Sequence, residues 1–433
     1  MTGALARYLR NFTGFSRDAR LFLLTTVVYG AALSLYWIDF NLYLESIGMG
    51  YAIGWMLSAS MLAGFLVALP ASALSDRFGR RTLMAAGMTL VAVALLTFLP
   101  GQPTLMFVGV VALGAGSQIV AVVQIPFIAE HTLPEQRNEY FSLWSALGFL
   151  TTLVSAVIGG TVATVLAGRL GFVSAAAPYQ ILLIGVAILG VISLGTVYLL
   201  KSDRPAPDRA RTPGRSRFGL VIADRRLFFC LLLPGFLTSL GAGQLIPFLN
   251  VFIERKFGLD LAAVNGVFAI ASLGTAAAIL AQPALARRFG RIGSIVLVQG
   301  ASIPFIVVLG FSPVLWTVVV ALTVRNSLMN AGSPIFDAFS MERVSPSERA
   351  TLAAGMTLLW SLGWVIAPIY YGLLQAWLGF YAGYAVDFVT IIVLYTIATS
   401  LLWHWFRHTD RTAASEAAIG PLPVETPVPF EHA

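Results

Sequence analysis

Apolar runs of about twenty residues return twelve times along this chain, each closed by a short polar or glycine-bearing break. A helix of that length crosses the ~30 Å hydrocarbon core of a bilayer. In that solvent every backbone N–H and C=O must be satisfied within the segment, which leaves only helices or closed barrels. The alternating segments of roughly ten residues that build a barrel do not occur. An all-α membrane protein is therefore expected, with spans at Leu21–Leu44, Ile53–Leu74, Thr82–Leu99, Leu105–Ile128, Tyr140–Leu166, Tyr179–Leu200, Leu227–Phe252, Val264–Leu285, Ile292–Phe311, Val314–Phe339, Thr351–Leu374 and Tyr381–Trp405.

Composition excludes most alternatives. Of 433 residues 58% are hydrophobic and 11% charged, where soluble domains carry about a quarter charged. The net charge of +7 sets 25 Arg and two Lys against 20 Asp/Glu, and the basic residues other than Arg325 sit in the breaks between spans, so nucleic acid is not an expected partner. Cys230 is the only cysteine and reads as a core thiol. No Cys/His metal cluster, phosphate-binding Gly-Lys-Ser/Thr loop or Gly-x-Ser-x-Gly elbow is present. His131, His404, His408 and His432 fall at membrane edges or in the tail. The expectation is a protein with no catalytic residues, no metal and no cofactor. The first apolar run is too long for a cleavable signal and stays as the first span.

The breaks set orientation and domains. With the N-terminus inside, the cytoplasmic segments hold 23 Lys/Arg and the opposite side three, a bias that places both termini in the cytoplasm of a multi-pass protein in the cell (inner) membrane. Residues 1–20 form a basic segment along the membrane surface, 21–200 a first six-helix bundle and 227–406 a second. Residues 201–226, with three prolines and eight Lys/Arg, are a cytoplasmic linker, and 407–433 a disordered cytoplasmic tail.

The two halves repeat one another. Ser72-Ala-Leu-Ser-Asp76-Arg77-Phe-Gly79-Arg80-Arg81 returns as Pro283-Ala-Leu-Ala-Arg-Arg-Phe-Gly290-Arg291, the glycines 211 residues apart. Glu130…Pro134…Arg137 returns as Glu342…Pro346…Arg349 at an offset of 212, and Asn41-Leu-Tyr-Leu-Glu45 as Asn250-Val-Phe-Ile-Glu254 at 209. The first of these stretches resembles the loop between the second and third helices of the major facilitator superfamily, Gly-x-Leu-Ala-Asp-Arg-x-Gly-Arg-Arg/Lys, with Ser72 in place of its first Gly. The resemblance covers about residues 20 to 406. It implies a secondary transporter of two six-helix bundles that pivot around a central site. It also implies that Asp76, with Arg77, Gly79, Arg80, Arg81, Arg137 and Arg349, and with Gly290 and Arg291 in the second copy, belongs to a gating motif in which Asp76 latches onto the start of the eleventh span. Arg287 stands where the second copy would carry its Asp, which leaves one latch complete. By the same resemblance the second, fifth, eighth and eleventh spans form the seam between halves, and the first, fourth, seventh and tenth line the cavity.

A charge inside a span is costly and usually faces a cavity or a partner. Asp39, beside Tyr36 and Asn41, and Arg325, near the middle of the tenth span, are the candidate cavity charges. Gln118 and Asn330, equivalent at the 212 offset, are the best neutral pair. Asp337 is expected to pair with Arg343 or Arg349. Asp39 is the candidate proton carrier, because burial favours an uncharged carboxyl. The expected partners are a small-molecule substrate, protons and the lipid bilayer, with the chain as a monomer. The leading expectation is proton-coupled efflux of an amphipathic compound; the alternatives are proton-coupled uptake or uniport of an organic anion or sugar-like solute, and a non-transporting receptor or scaffold. Val110–Gln118 lacks the Arg that drug-exporting members usually carry there, which weighs against the first.

Overall fold

The computed structural model describes residues 14–133, 136–171, 174, 176–201, 224–289, 291–345 and 348–407; within its helices the side chains of Asp76, Arg137 and residues 276–291 and 330–335 are among those outside the description. Most of the basic N-terminal segment, the linker and the tail anticipated from sequence therefore lie outside the described residues.

The described chain is helical throughout. In order come α1 Arg17–Ser46, α2 Ile53–Phe78, α3 Arg80–Thr97, α4 Pro103–His131, α5 Arg137–Arg169, α6 Ala177–Tyr198, α7 Arg225–Leu245, α8 Leu249–Phe257, α9 Leu261–Phe289, α10 Arg291–Phe311 and α11 Leu315–Glu342. The last helix, Arg349–Phe406, breaks at Gly379, whose φ of 74° is left-handed, into α12 (349–378) and α13 (380–406). The seventh apolar run is likewise interrupted: Pro247, lacking an N–H, sits in a 3-10 turn Ile246–Phe248 between α7 and α8. Among the described residues nine segments are long and apolar enough to cross a membrane. The 56-residue one contains the Gly379 break, and the described apolar parts of α9 and α11 are Leu261–Thr275 and Leu315–Met329. This accords with twelve spans. Large apolar side chains point outward along them, Leu69 and Trp316 among the most exposed, as lipid contact requires.

In the first half α4 packs against α2 and α3, and α1 against α5 and α6; in the second, α11 packs against α9 and α10, and α7 against the α12–α13 pair. The halves touch where α2 meets the α12–α13 helix and α5 meets α9. The seam between the second, fifth, eighth and eleventh spans is therefore present. Gly54 of α2 lies against Gly372 of α12 so closely that a Cβ on it would stand 2.3 Å from the Pro368 carbonyl oxygen.

The apolar core is unequal along the bundle axis. Call the end bearing residues 72–81 the basic end and its opposite the far end. Toward the far end one cluster joins both halves, with Leu42, Tyr43 and Leu44 packed in the same core as Phe248, Val251 and Phe252. At the basic end the core divides into two clusters, one from the first half around Phe22, Phe127 and Tyr140, the other from the second around Leu231, Ile295 and Phe339. The molecule is sealed at the far end and split toward the basic end.

Candidate functional site

The larger cavity, about 610 Å³, lies within the second half and is lined from α7 to α13, by residues between Leu231 and Leu402. Its wall is mostly apolar, with Phe236, Phe268, Met329 and Trp360 contributing large surfaces. Arg325 enters from α11 and is 2% exposed. Its Nη1 donates to Asn326 Oδ1 at 2.9 Å and its Nη2 to the Tyr395 hydroxyl at 2.8 Å. Tyr395 is held in place by Gly241 of α7, where a Cβ would come within 2.5 Å of the tyrosine ring. Arg325 Nε has no hydrogen-bond partner among the described residues. No described carboxylate forms an ion pair with this guanidinium.

Asp337 does not pair with Arg343 or Arg349 as anticipated. It lines the exposed mouth of the cavity, while Arg343 lies over the Phe339 ring and Arg349 Nε donates to the Met341 carbonyl at 3.0 Å. Six residues along a helix turn through about 240°, so positions 337 and 343 face different neighbours.

A second cavity of about 330 Å³ lies in the first half between α1, α3 and α4, where Gln118 lines it with Thr25, Thr26, Tyr29 and Gln124. Trp144 Nε1 donates to Thr26 Oγ1 at 3.1 Å beside it. This wall carries no ionised group. The position 212 residues before Arg325 is Leu113, a buried core residue. The Asn330 side chain, the proposed partner of Gln118, lies outside the description.

The structure places the remaining candidates in the far-end seal. Tyr36 is buried and stacks on Phe40 and Phe98, with ring centroids 4.9 and 5.7 Å apart. Asp39 lines neither of these two cavities; its Oδ1 accepts from Asn265 Nδ2 of α9 at 2.9 Å, and its Oδ2 has no hydrogen-bond partner among the described residues. Asn41 Nδ2 donates to the Pro247 carbonyl at 2.5 Å, and Asn250 Nδ2 donates to the Ile38 carbonyl. Each asparagine of the repeated Asn-x-x-x-Glu stretch thus clasps the carbonyl three residues before the other. Around this pair, Glu45 forms an ion pair with Arg255 at 2.9 Å and Glu254 accepts from the Tyr179 hydroxyl at 2.5 Å. Asn265 and Tyr395 were not singled out from sequence. A lone amide in the apolar stretch of α9 was the signal for the first, whereas nothing marked one tyrosine of α13 above the others.

At the basic end Gly79, with φ 91°, joins α2 directly to α3. Arg80 Nη1 donates to Ser75 Oγ at 2.6 Å and its Nε lies 3.5 Å from Glu130 at the end of α4. Arg81 Nη2 donates to the Tyr198 carbonyl at 2.7 Å, capping the C-terminus of α6. Arg77 is exposed over the ring of Phe78. The Asp76, Arg137 and Arg291 side chains, and Gly290, lie outside the description, and with them any latch from Asp76 to α12.

The family model described as Major Facilitator Superfamily matches residues 22–368. Multidrug resistance protein 1 of Bacillus subtilis (strain 168) is 24% identical over 362 residues, 82% of this chain and 87% of that protein. Among solved structures, the nucleoside transporter NupG superposes with a TM-score of 0.69 at 14% identity, covering 90% of this chain and 99% of that one. The D-xylose-proton symporter does so with a TM-score of 0.68 at 12%, covering 89% and 97%. A bacterial homologue of the human lysosomal transporter Spinster, inward-facing and occupied, gives 0.67 at 16%, covering 90% and 98%. At these identities the likeness to solved structures is one of fold.

Proposed function

Because this chain belongs to the major facilitator superfamily, and is thus a membrane transporter rather than an enzyme, we propose that it exports amphipathic compounds by alternating access, in exchange for protons. What supports this reading is the large, mostly apolar cavity of the second half, together with a core that is joined at the far end and divided at the basic end. The Bacillus relative, named for multidrug resistance, supports the same direction and class of substrate. The excess of Lys/Arg at the basic end supports assigning that end to the cytoplasmic side of the cell membrane, with the cavity then facing inward. The two bundles, residues 21–200 and 227–406, would then rock as a monomer about the central site, with the gating motif around Asp76 closing the basic end when the far end opens.

Asp39 is assigned the coupling role. In the sealed state it is out of water, with one oxygen bonded to Asn265 across the seam. Opening the far end separates α1 from α9 and exposes the carboxyl to external water, where it can exchange a proton. Closing the far end over a charged carboxylate is costly unless it is neutralised, so closure takes up a proton from the external side, and exchange requires that proton to leave on the cytoplasmic side before the far end reopens. The test is gradient-driven movement of labelled amphipathic compounds of either charge in proteoliposomes. A pH gradient should drive their transport by the native protein. Asp39→Asn should abolish gradient-driven accumulation while preserving binding, and an Asn variant that still accumulates substrate would move coupling to another group.

A further inference from the structure

The larger cavity contains one permanent charge that the described protein does not neutralise. Burying a guanidinium is unfavourable unless it is paired and fully hydrogen-bonded. Arg325 is buried, yet its two described partners, Asn326 and Tyr395, are neutral, and its Nε has none. These contacts orient the planar fork of five N–H donors without cancelling its charge. The one carboxylate in the lining, Asp337, is twelve residues further along α11, about 18 Å at 1.5 Å per residue, and is exposed at the mouth. Nor does the helical scaffold require a cation here, since the equivalent position of the first half holds Leu113 among core residues.

We infer that this cavity binds amphipathic organic anions, with a carboxylate or sulfonate head on the Arg325 guanidinium and an apolar body against Phe236, Phe268, Met329 and Trp360. A head group there replaces the missing counter-charge in charge-assisted bonds to a guanidinium whose buried Nε has no partner among the described residues. The volume of about 610 Å³ falls within the roughly 300–1,000 Å³ range of small-molecule sites. An amphipathic cation of the same body meets a like charge at the floor of the cavity and is disfavoured. The inference rests on the transport reading only in treating the bound anion as cargo; binding itself does not require it.

The experiment compares three probes with one apolar body, 4-phenylbutyrate, 4-phenylbutylamine and 4-phenylbutanol, titrated onto the full-length protein in nanodiscs with no gradient present. Phenylbutyrate should bind at least about tenfold more tightly than the other two, the size expected of one charge-assisted contact. Arg325→Gln should erase that preference, and Arg325→Lys should keep part of it. Tyr395→Phe, which removes one orienting hydroxyl and leaves the charge, should weaken phenylbutyrate binding by a smaller factor. Equal affinity for the three probes, preference for the amine, no binding of phenylbutyrate at millimolar concentration, or an Arg325→Gln variant that folds and keeps the preference would each overturn the inference. Selective anion binding without transport in proteoliposomes would instead discard the exporter reading and leave this one standing. Transport of the amine with no anion selectivity would do the reverse.

Discussion

The far-end clasp and the cavity beneath it are built from the same repeat and treat it in opposite ways. At the clasp the copies do the same work: Asn41 reaches the Pro247 carbonyl and Asn250 reaches that of Ile38, each three residues before the other asparagine. In the cavities the copies have diverged, with Arg325 facing the larger one and Leu113 packed in the core at the matching position. A seal between two bundles is made where equivalent segments meet, so one sequence serves both sides of the joint. Under the anion inference a solute binds off that axis, where a single charge in one half can orient it.

The largest effect expected from breaking this comparison is at the close approach beside the clasp. A side chain on Gly54 would collide with the backbone of α12 at Pro368 and Gly372, and backbone cannot step aside as a side chain can. Gly54→Leu should hold the far end open and lower transport more than tenfold. Spin labels at the exposed far-end positions Tyr51 and Tyr381 should move apart, and unchanged transport and spacing would show that this contact is not part of the seal.

Next comes the symmetry of the clasp itself. Asn41→Ala and Asn250→Ala each remove one bond between halves, worth about 1–1.5 kcal/mol, and should shift the same label distance toward the open state by roughly tenfold. Because the contacts are reciprocal, the two variants should agree within about threefold. A large inequality would mean that one asparagine holds the joint and the other only accompanies it.

The smallest effect belongs to the rim. The Arg255 side chain is 48% exposed in its ion pair with Glu45, and pairs so placed contribute about 0.2–1 kcal/mol and are screened by salt. Arg255→Gln should therefore shift the far-end equilibrium by less than about fivefold at low ionic strength and not measurably at high salt. A larger, salt-independent shift would make this pair part of the clasp.

Much of this molecule is legible in its residues because the solvent leaves few options. Apolar runs of about twenty residues oblige helices, the excess of Arg on alternate breaks implies an orientation, and the recurrence of Asn41–Glu45 as Asn250–Glu254 marks two copies of one design. Local chemistry also marks Gly79 as the joint between α2 and α3 and Arg325 as a charge in need of a reason. What those residues touch is another matter. Asp39 and Arg325 look alike in sequence, each an isolated charge in a span expected to line a cavity, yet one lies in the seal against Asn265 and the other in the cavity against Tyr395. Their partners are 226 and 70 residues away along the chain. Hydropathy and spacing report how a residue meets its own helix and its solvent. Which helix stands opposite, and whether that contact is sealed or split, depends on how the two halves are packed together, and that the tertiary structure alone decides.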